Sequence, residues 1–182
     1  MNELNKKAFI SNLKKIERDE SKITNLINFL YELGFFESPA STRFHLAENG
    51  GLLKHSLSVY YQYKTFLKMF DIEIEESSMI ITCLLHDICK AGLYIGEKKP
   101  YKYNRQIGKK GHARLSINRI ERFIPLTSLE KKMIKYHMGV YYTKETNPFF
   151  GEYSTEELKI AFNDNRVFLM HCADMFSSRF LE

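Results

Sequence analysis

A histidine and an aspartate stand side by side in Leu84-Leu85-His86-Asp87-Ile88-Cys89-Lys90, late in an apolar helical run that begins near Glu75. Burying two titratable side chains there is unfavourable unless something binds them. Any fold of this chain has to accommodate that pair. A divalent metal ion is one economical answer, because neutral imidazole and carboxylate are both good ligands for hard or borderline ions. A helix end that is merely polar is the plain alternative, and the rest of the sequence has to choose between them.

The chain has 182 residues, enough for one domain with a sizeable core. With 44% hydrophobic and 27% charged residues it has the balance of an ordinary soluble globular protein. No apolar run approaches the roughly 20 residues that span a bilayer. The polar start Met1-Asn2-Glu3-Leu4-Asn5-Lys6-Lys7 does not read as a signal peptide. Cys83, Cys89 and Cys172 are odd in number and fall in expected helices, which suits reduced thiols in a cytoplasmic protein. A net charge of +5 favours anionic partners, nucleotides and nucleic acid among them, although the positive charge is spread along the chain.

The hydrophobic spacing is helical throughout, and no alternating strand run of convincing length appears. Residues 3–17 place Leu4, Phe9, Ile10, Leu13 and Ile16 at loose helical intervals. A second helix starts between Asp19 and Ser21, buries Ile23, Leu26, Ile27, Leu30 and Leu33, and stops at Gly34. Pro39 makes residues 36–45 a loop, and Asn49-Gly50-Gly51 signals a turn. A long helix is expected from about Leu52 to Phe70, with Leu52, His55, Val59, Gln62, Phe66 and Met69 near one line. After the helix carrying His86-Asp87, Gly92 is a stop, and residues 93–110 look like an excursion or hairpin. Gly111-His112 opens a helix to about Phe123, with Leu115, Ile117 and Ile120 inward; Pro125 breaks it, and Thr127-Ser128-Leu129-Glu130 is a capping box for the next helix, ending near His137. Residues 139–153 form a second long loop, and Ser154-Thr155-Glu156-Glu157 is another capping box. The last helix is expected from about Arg166 to Phe180, with His171 and Asp174 on one face. The expected fold is all-α: a single-domain helical bundle over 1–182, with N-terminal helices in 1–35, a core in 36–182 and two long loops.

Helical bundles build metal sites from side chains on facing helices. The candidates for one centre run in the order His55, His86-Asp87, His112, His137, Asp174. Gly50-Gly51-Leu52-Leu53-Lys54-His55-Ser56-Leu57, Leu84 to Lys90, Gly111-His112-Ala113, Tyr136-His137-Met138-Gly139 and Ala173-Asp174-Met175 together resemble the HD-domain metal-dependent phosphohydrolases, over about residues 39–178. Pro39-Ala40-Ser41-Thr42-Arg43-Phe44-His45 also looks like the start of small bacterial and phage members.

The resemblance implies an HD-type bundle in which His55, His86, Asp87 and Asp174 hold a first divalent ion. His112 and His137 match members with a second ion, Asp87 bridging the two. Manganese, iron, nickel or a similar transition ion is implied. The implied activity is hydroxide attack on a phosphomonoester or phosphodiester of a nucleotide, a cyclic nucleotide or a nucleic-acid end. Lys90 lies three residues after Asp87, hence on its helix face, and can reach a phosphate as a point charge; family members carry a lysine there in a similar role. Cys89 departs from the glycine of many relatives.

Each of these readings has a plainer counterpart. The six ligands could be a polar cluster satisfied by hydrogen bonds, and His112 and His137 could contact substrate in a one-metal enzyme. His171 either orients Asp174 or simply packs. Arg43 and His45 could reach the pocket as substrate contacts. Arg114 and Arg119 are either solvated or one binds phosphate, and Arg105, Lys109 and Lys110 are a basic rim or a solvated loop. Tyr101, Tyr103, Tyr141, Tyr142, Phe149 and Phe150 could stack on a base or pack within their loops, and Cys172 reads as core. A non-catalytic, metal-containing nucleotide-binding module is the competing function, with a dinuclear-iron oxygenase a weaker third.

Overall fold

Ile23, Leu26, Ile27 and Leu30 are buried along one face of a helix whose first turn is closed by Asp19, its carboxylate accepting from the backbone N–H groups of Ser21 and Lys22. The helix stops where Gly34 takes φ 68°, with Phe35 N–H returned to Leu30 O and Gly34 N–H to Tyr31 O. Only a residue without a Cβ adopts that left-handed conformation cheaply. The capping boxes at Thr127/Glu130 and Ser154/Glu157 both form, each carboxylate bonding back to the backbone of its cap residue.

The computed structural model describes residues 2–96, 98–104 and 111–182. Along them run α1 (Asn2–Leu13), α2 (Glu20–Glu32), α3 (Gly51–Met69), α4 (Glu76–Leu85), a 3-10 turn (Ile88–Lys90), the strand pair β1 (Tyr94–Ile95) and β2 (Lys102–Tyr103), α5 (His112–Glu121), α6 (Ser128–Tyr136), a second 3-10 turn (Gly139–Tyr142), α7 (Thr155–Phe162), α8 (Asn165–Phe176) and a π turn (Ser177–Leu181). The fold is an all-α single domain, and its one small sheet is antiparallel, pairing Tyr94 with Tyr103 and Ile95 with Lys102. That ladder is the hairpin expected within 93–110; Arg105, Lys109 and Lys110 lie outside the described residues.

α3 is the central rod. It packs on α8 on one side and α4 on another, α6 packs on α8 and α5, and α1 covers α3 and α4. Leu52, Leu53, Ile80, Ile81, Leu84 and Leu85 are fully buried between these helices. Each such side chain contributes about 1.5–3 kcal/mol, which offsets the cost of the polar cluster among them.

Two helix ends and one helix face differ from the sequence expectation. α1 ends at Leu13, and i→i+3 bonds through Lys15 and Ile16 complete the segment expected as helix to residue 17. The last α-helix ends at Phe176 and widens into the π turn. The line through Leu52, His55 and Val59 leaves the core by Met69, which is 65% exposed.

The start of α3 is fixed by close backbone approach. Gly50 is left-handed at φ 74°, and a Cβ on Gly51 would meet Leu46 O, which already accepts from Ala40 N–H. Gly51→Ala should therefore cost about 1–3 kcal/mol in denaturant unfolding, by pushing the 36–50 loop off the helix that carries His55. Unchanged stability would mean that the loop is not clamped there.

Candidate metal centre

His55 lies in the second turn of α3, His86 ends α4, His112 begins α5, His137 ends α6 and Asp174 lies on α8. Asp87 follows His86 at the head of the 3-10 turn, with φ −104° and ψ 14°. The structure brings these six side chains together, all of them largely or wholly buried.

They form two groups around one carboxylate. In the first, His55 Nε2 lies 3.3 Å from His86 Nε2, 3.1 Å from Asp174 Oδ1 and 3.5 Å from Asp87 Oδ2. His86 Nε2 lies 3.5 Å from Asp87 Oδ2 and 3.9 Å from Asp174 Oδ1. In the second, Asp87 Oδ1 lies 2.7 Å from His112 Nε2 and 3.6 Å from His137 Nε2, and those two nitrogens are 3.2 Å apart. Metal–nitrogen and metal–oxygen bonds of roughly 2.0–2.2 Å put neighbouring donors roughly 3.0–3.5 Å apart, close to most of these separations.

The far nitrogen of each ring explains why the Nε2 atoms face one another. His86 Nδ1 donates to Cys83 O at 2.9 Å and His137 Nδ1 to Ile134 O at 2.7 Å. A carbonyl only accepts, so both neutral rings must carry their proton on Nδ1 and present a bare Nε2. His55 Nδ1 lies 3.0 and 3.1 Å from the two oxygens of Glu182, whose side chain is 3% exposed. His112 Nδ1 lies 3.0 Å from Cys89 Sγ. Two imidazole pairs thus meet head to head, and each junction needs a hydrogen or a metal ion between its nitrogens. Asp87 Oδ1 is buried without an aligned hydrogen-bond donor among the described residues, despite its closeness to His112. An unsatisfied buried carboxylate oxygen between two such pairs fits a cation.

Electrostatics agree. Burial drives His86 down to about 3, so it is neutral. Burial also works against charge on His55, but Asp174 and Glu182 outweigh it and hold the ring at about 9. Asp87 is kept well below the usual carboxylate range: burial opposes its charge, and Lys90, His86 and His112 overcome that. Asp174 is lowered too, against its burial, chiefly by His55. These buried His/Asp groups could hold a metal ion.

No family model, curated protein or solved structure matches the chain.

The remaining candidates divide. Lys90 Nζ lies 2.6 Å from Asp87 Oδ2. The two residues are brought together by the 3-10 turn rather than by a continuing α-helix, with Lys90 N–H bonded to Asp87 O; residues three apart eclipse in that geometry. Burial opposes the ammonium's charge, and Asp87 more than restores it. His45 reaches the rim, its ring 5.4 Å from that of His55, and burial lowers its basicity, with Lys90 adding to the effect. Arg43 points elsewhere: it is exposed, with its guanidinium over the Phe44 ring. Arg114 is exposed and lines a hollow with Phe149 and Phe150. Arg119 is buried rather than solvated, donating to Ile88 O and Ala91 O and so stapling the turn that carries Lys90. His171 does not hold Asp174. Its Nδ1 donates to His137 O at 2.6 Å, and its ring fills the space that a Cβ on Gly139 would need.

Glu182 escaped the sequence reading, because nothing local distinguishes it from a surface glutamate. A carboxylate on the far nitrogen of a ligand histidine fixes the tautomer and raises its basicity. Glu182→Ala should weaken manganese binding by roughly 10–100-fold in chelator competition, and Glu182→Gln, which keeps an acceptor oxygen, should weaken it less. Equal affinity in all three proteins would sink this role.

A proton and a cation compete for His55 Nε2. Because that ring's proton leaves only near pH 9, manganese affinity should climb as pH is raised towards about 9. An affinity flat with pH across that range would contradict the arrangement.

Proposed function

We propose that the protein is a metal-dependent phosphohydrolase of the HD type, acting on a phosphate ester of a nucleotide, a cyclic nucleotide or a nucleic-acid end. The observation that carries this reading is the Asp87 carboxylate set between two head-to-head imidazole pairs, with Asp174 completing the first group. The sequence resemblance supports it independently, since its motifs and the geometry select the same six residues.

Asp87 presents one oxygen to each group, so it is suited to bridge two ions. The mixed nitrogen and carboxylate donors favour a transition ion such as manganese, iron or nickel. Such ions, when bound, supply a hydroxide near neutral pH and offset the charge growing on phosphoryl oxygens. The chain's own residues do the rest. Glu182 and the Cys83 and Ile134 carbonyls hold His55, His86 and His137 in register. Lys90, paired with Asp87 and with its side chain 12% exposed, would offer a fixed positive charge to an incoming phosphate. His45 lines the same rim.

Elemental analysis followed by turnover of a generic phosphodiester with added manganese tests the proposal. Wild type should bind metal and turn over. Asp87→Ala should lose most metal and all activity while keeping its helicity. Lys90→Ala should keep metal but slow turnover by roughly 10²–10³-fold, the scale for removing one charge-stabilising group. Full metal content in Asp87→Ala, or no turnover by metal-replete wild type, would overturn it.

A further inference from the structure

Beside His112 lies a chamber of about 300 Å³. Cys89 and His112 form its inner end, Leu93 and Leu115 flank it, and Tyr142 and Phe150 close it from the 139–153 segment. The Tyr142 ring stands 5.5 Å from the His112 ring, so the chamber begins where the second imidazole pair ends. Tyr103 also lines it, and no carboxylate, ammonium, guanidinium or amide side chain does so among the described residues.

The closing segment is held in place by its own bonds. Tyr142 O accepts from Glu152 N–H at 2.8 Å, and Asn147 O accepts from Gly151 N–H at 2.7 Å. The Glu152 carboxylate in turn accepts from Ala113 and Arg114 N–H at the start of α5, at 2.8 and 3.1 Å. Tyr153 OH donates to Gly139 O. Tyr142 and Phe150 are therefore presented to His112 by a preformed wall.

We propose that this chamber takes the base of a nucleoside phosphate whose phosphorus lies at the Asp87 cluster. The proposal rests on the phosphohydrolase reading and names its substrate's other half. Aromatic walls favour a flat ring, which stacks on them. The chamber's abutment on His112 ties that ring to the same molecule as the phosphate. The described lining offers a base edge only the Tyr103 and Tyr142 hydroxyls, the Cys89 thiol and the His112 imidazole, few enough that purines and pyrimidines should bind alike.

The test is calorimetric titration of metal-replete protein with adenosine 5′-monophosphate, uridine 5′-monophosphate and ribose 5-phosphate, with turnover followed in parallel. Both nucleotides should bind within a few-fold of each other and roughly 10–100-fold more tightly than the base-free phosphate, the scale of stacking on one base. Tyr142→Ala should remove most of that difference and leave ribose 5-phosphate unchanged, while Tyr142→Phe should keep it. Phe150 is 61% exposed, so Phe150→Ala should fold normally and shift affinity in the same direction. Equal affinity for all three ligands, a strong purine or pyrimidine preference, or uniform weakening in Tyr142→Ala would overturn the chamber's role. Turnover with equal affinity for the nucleotides and ribose 5-phosphate would remove the chamber but leave the hydrolase. Tighter binding of both nucleotides than of ribose 5-phosphate, without turnover, would leave the chamber and remove the hydrolase.

Discussion

Everything near the centre of this protein follows from where four imidazoles are made to put their protons. The Cys83 and Ile134 carbonyls can only accept, so His86 and His137 hold their hydrogens outward and turn bare nitrogens inward. Glu182 acts on His55 from the same outer side. Once Nε2 meets Nε2 at 3.2–3.3 Å in two places, each junction must hold a hydrogen or a metal ion. Asp87 and Asp174 are ionised beside them, and the surrounding leucines and isoleucines keep water from weakening the demand.

That demand explains features that would otherwise look like unrelated details of the chain. α4 ends at Leu85, and the 3-10 turn replaces further α-helix. The change in pitch lets Asp87 face both imidazole pairs while Lys90 stacks over it. Arg119 and Ser116 on α5 hold the turn through Ile88 O, Ala91 O and Cys89 N–H. His171 occupies the space over Gly139 and bonds His137 O, so it supports the end of α6. Its effect on the cluster therefore runs through His137, not through its near neighbour Asp174.

Local chemistry in the sequence was enough to place most helices. Asp19, Thr127 and Ser154 each start a helix where their side chains can accept backbone hydrogens, and Gly34 ends one where φ turns positive. The order of the six candidate ligands was equally readable, because helical spacing puts each histidine and aspartate at a helix end or on a buried stripe. Partnerships across long separations were not readable. Glu182 meets His55 over 127 positions and Arg18 meets Glu130 over 112, with no pattern in either segment to announce it. The loop label on 139–153 was coarse for another reason. Its order comes from backbone bonds and from the Glu152 carboxylate on α5, and neither leaves a periodic trace.

Cys89 joins the two halves of this account. A glycine at that position would leave His112 Nδ1 without the sulfur now 3.0 Å away. The same side chain forms the inner end of the apolar chamber. One side chain thus supplies a partner to the outer histidine and an apolar surface beside it. Sulfur is large, polarisable and weakly hydrated, so it can do both where a hydroxyl would bring water. The cluster and the chamber share Cys89 and His112, so a change at position 89 should be felt in both.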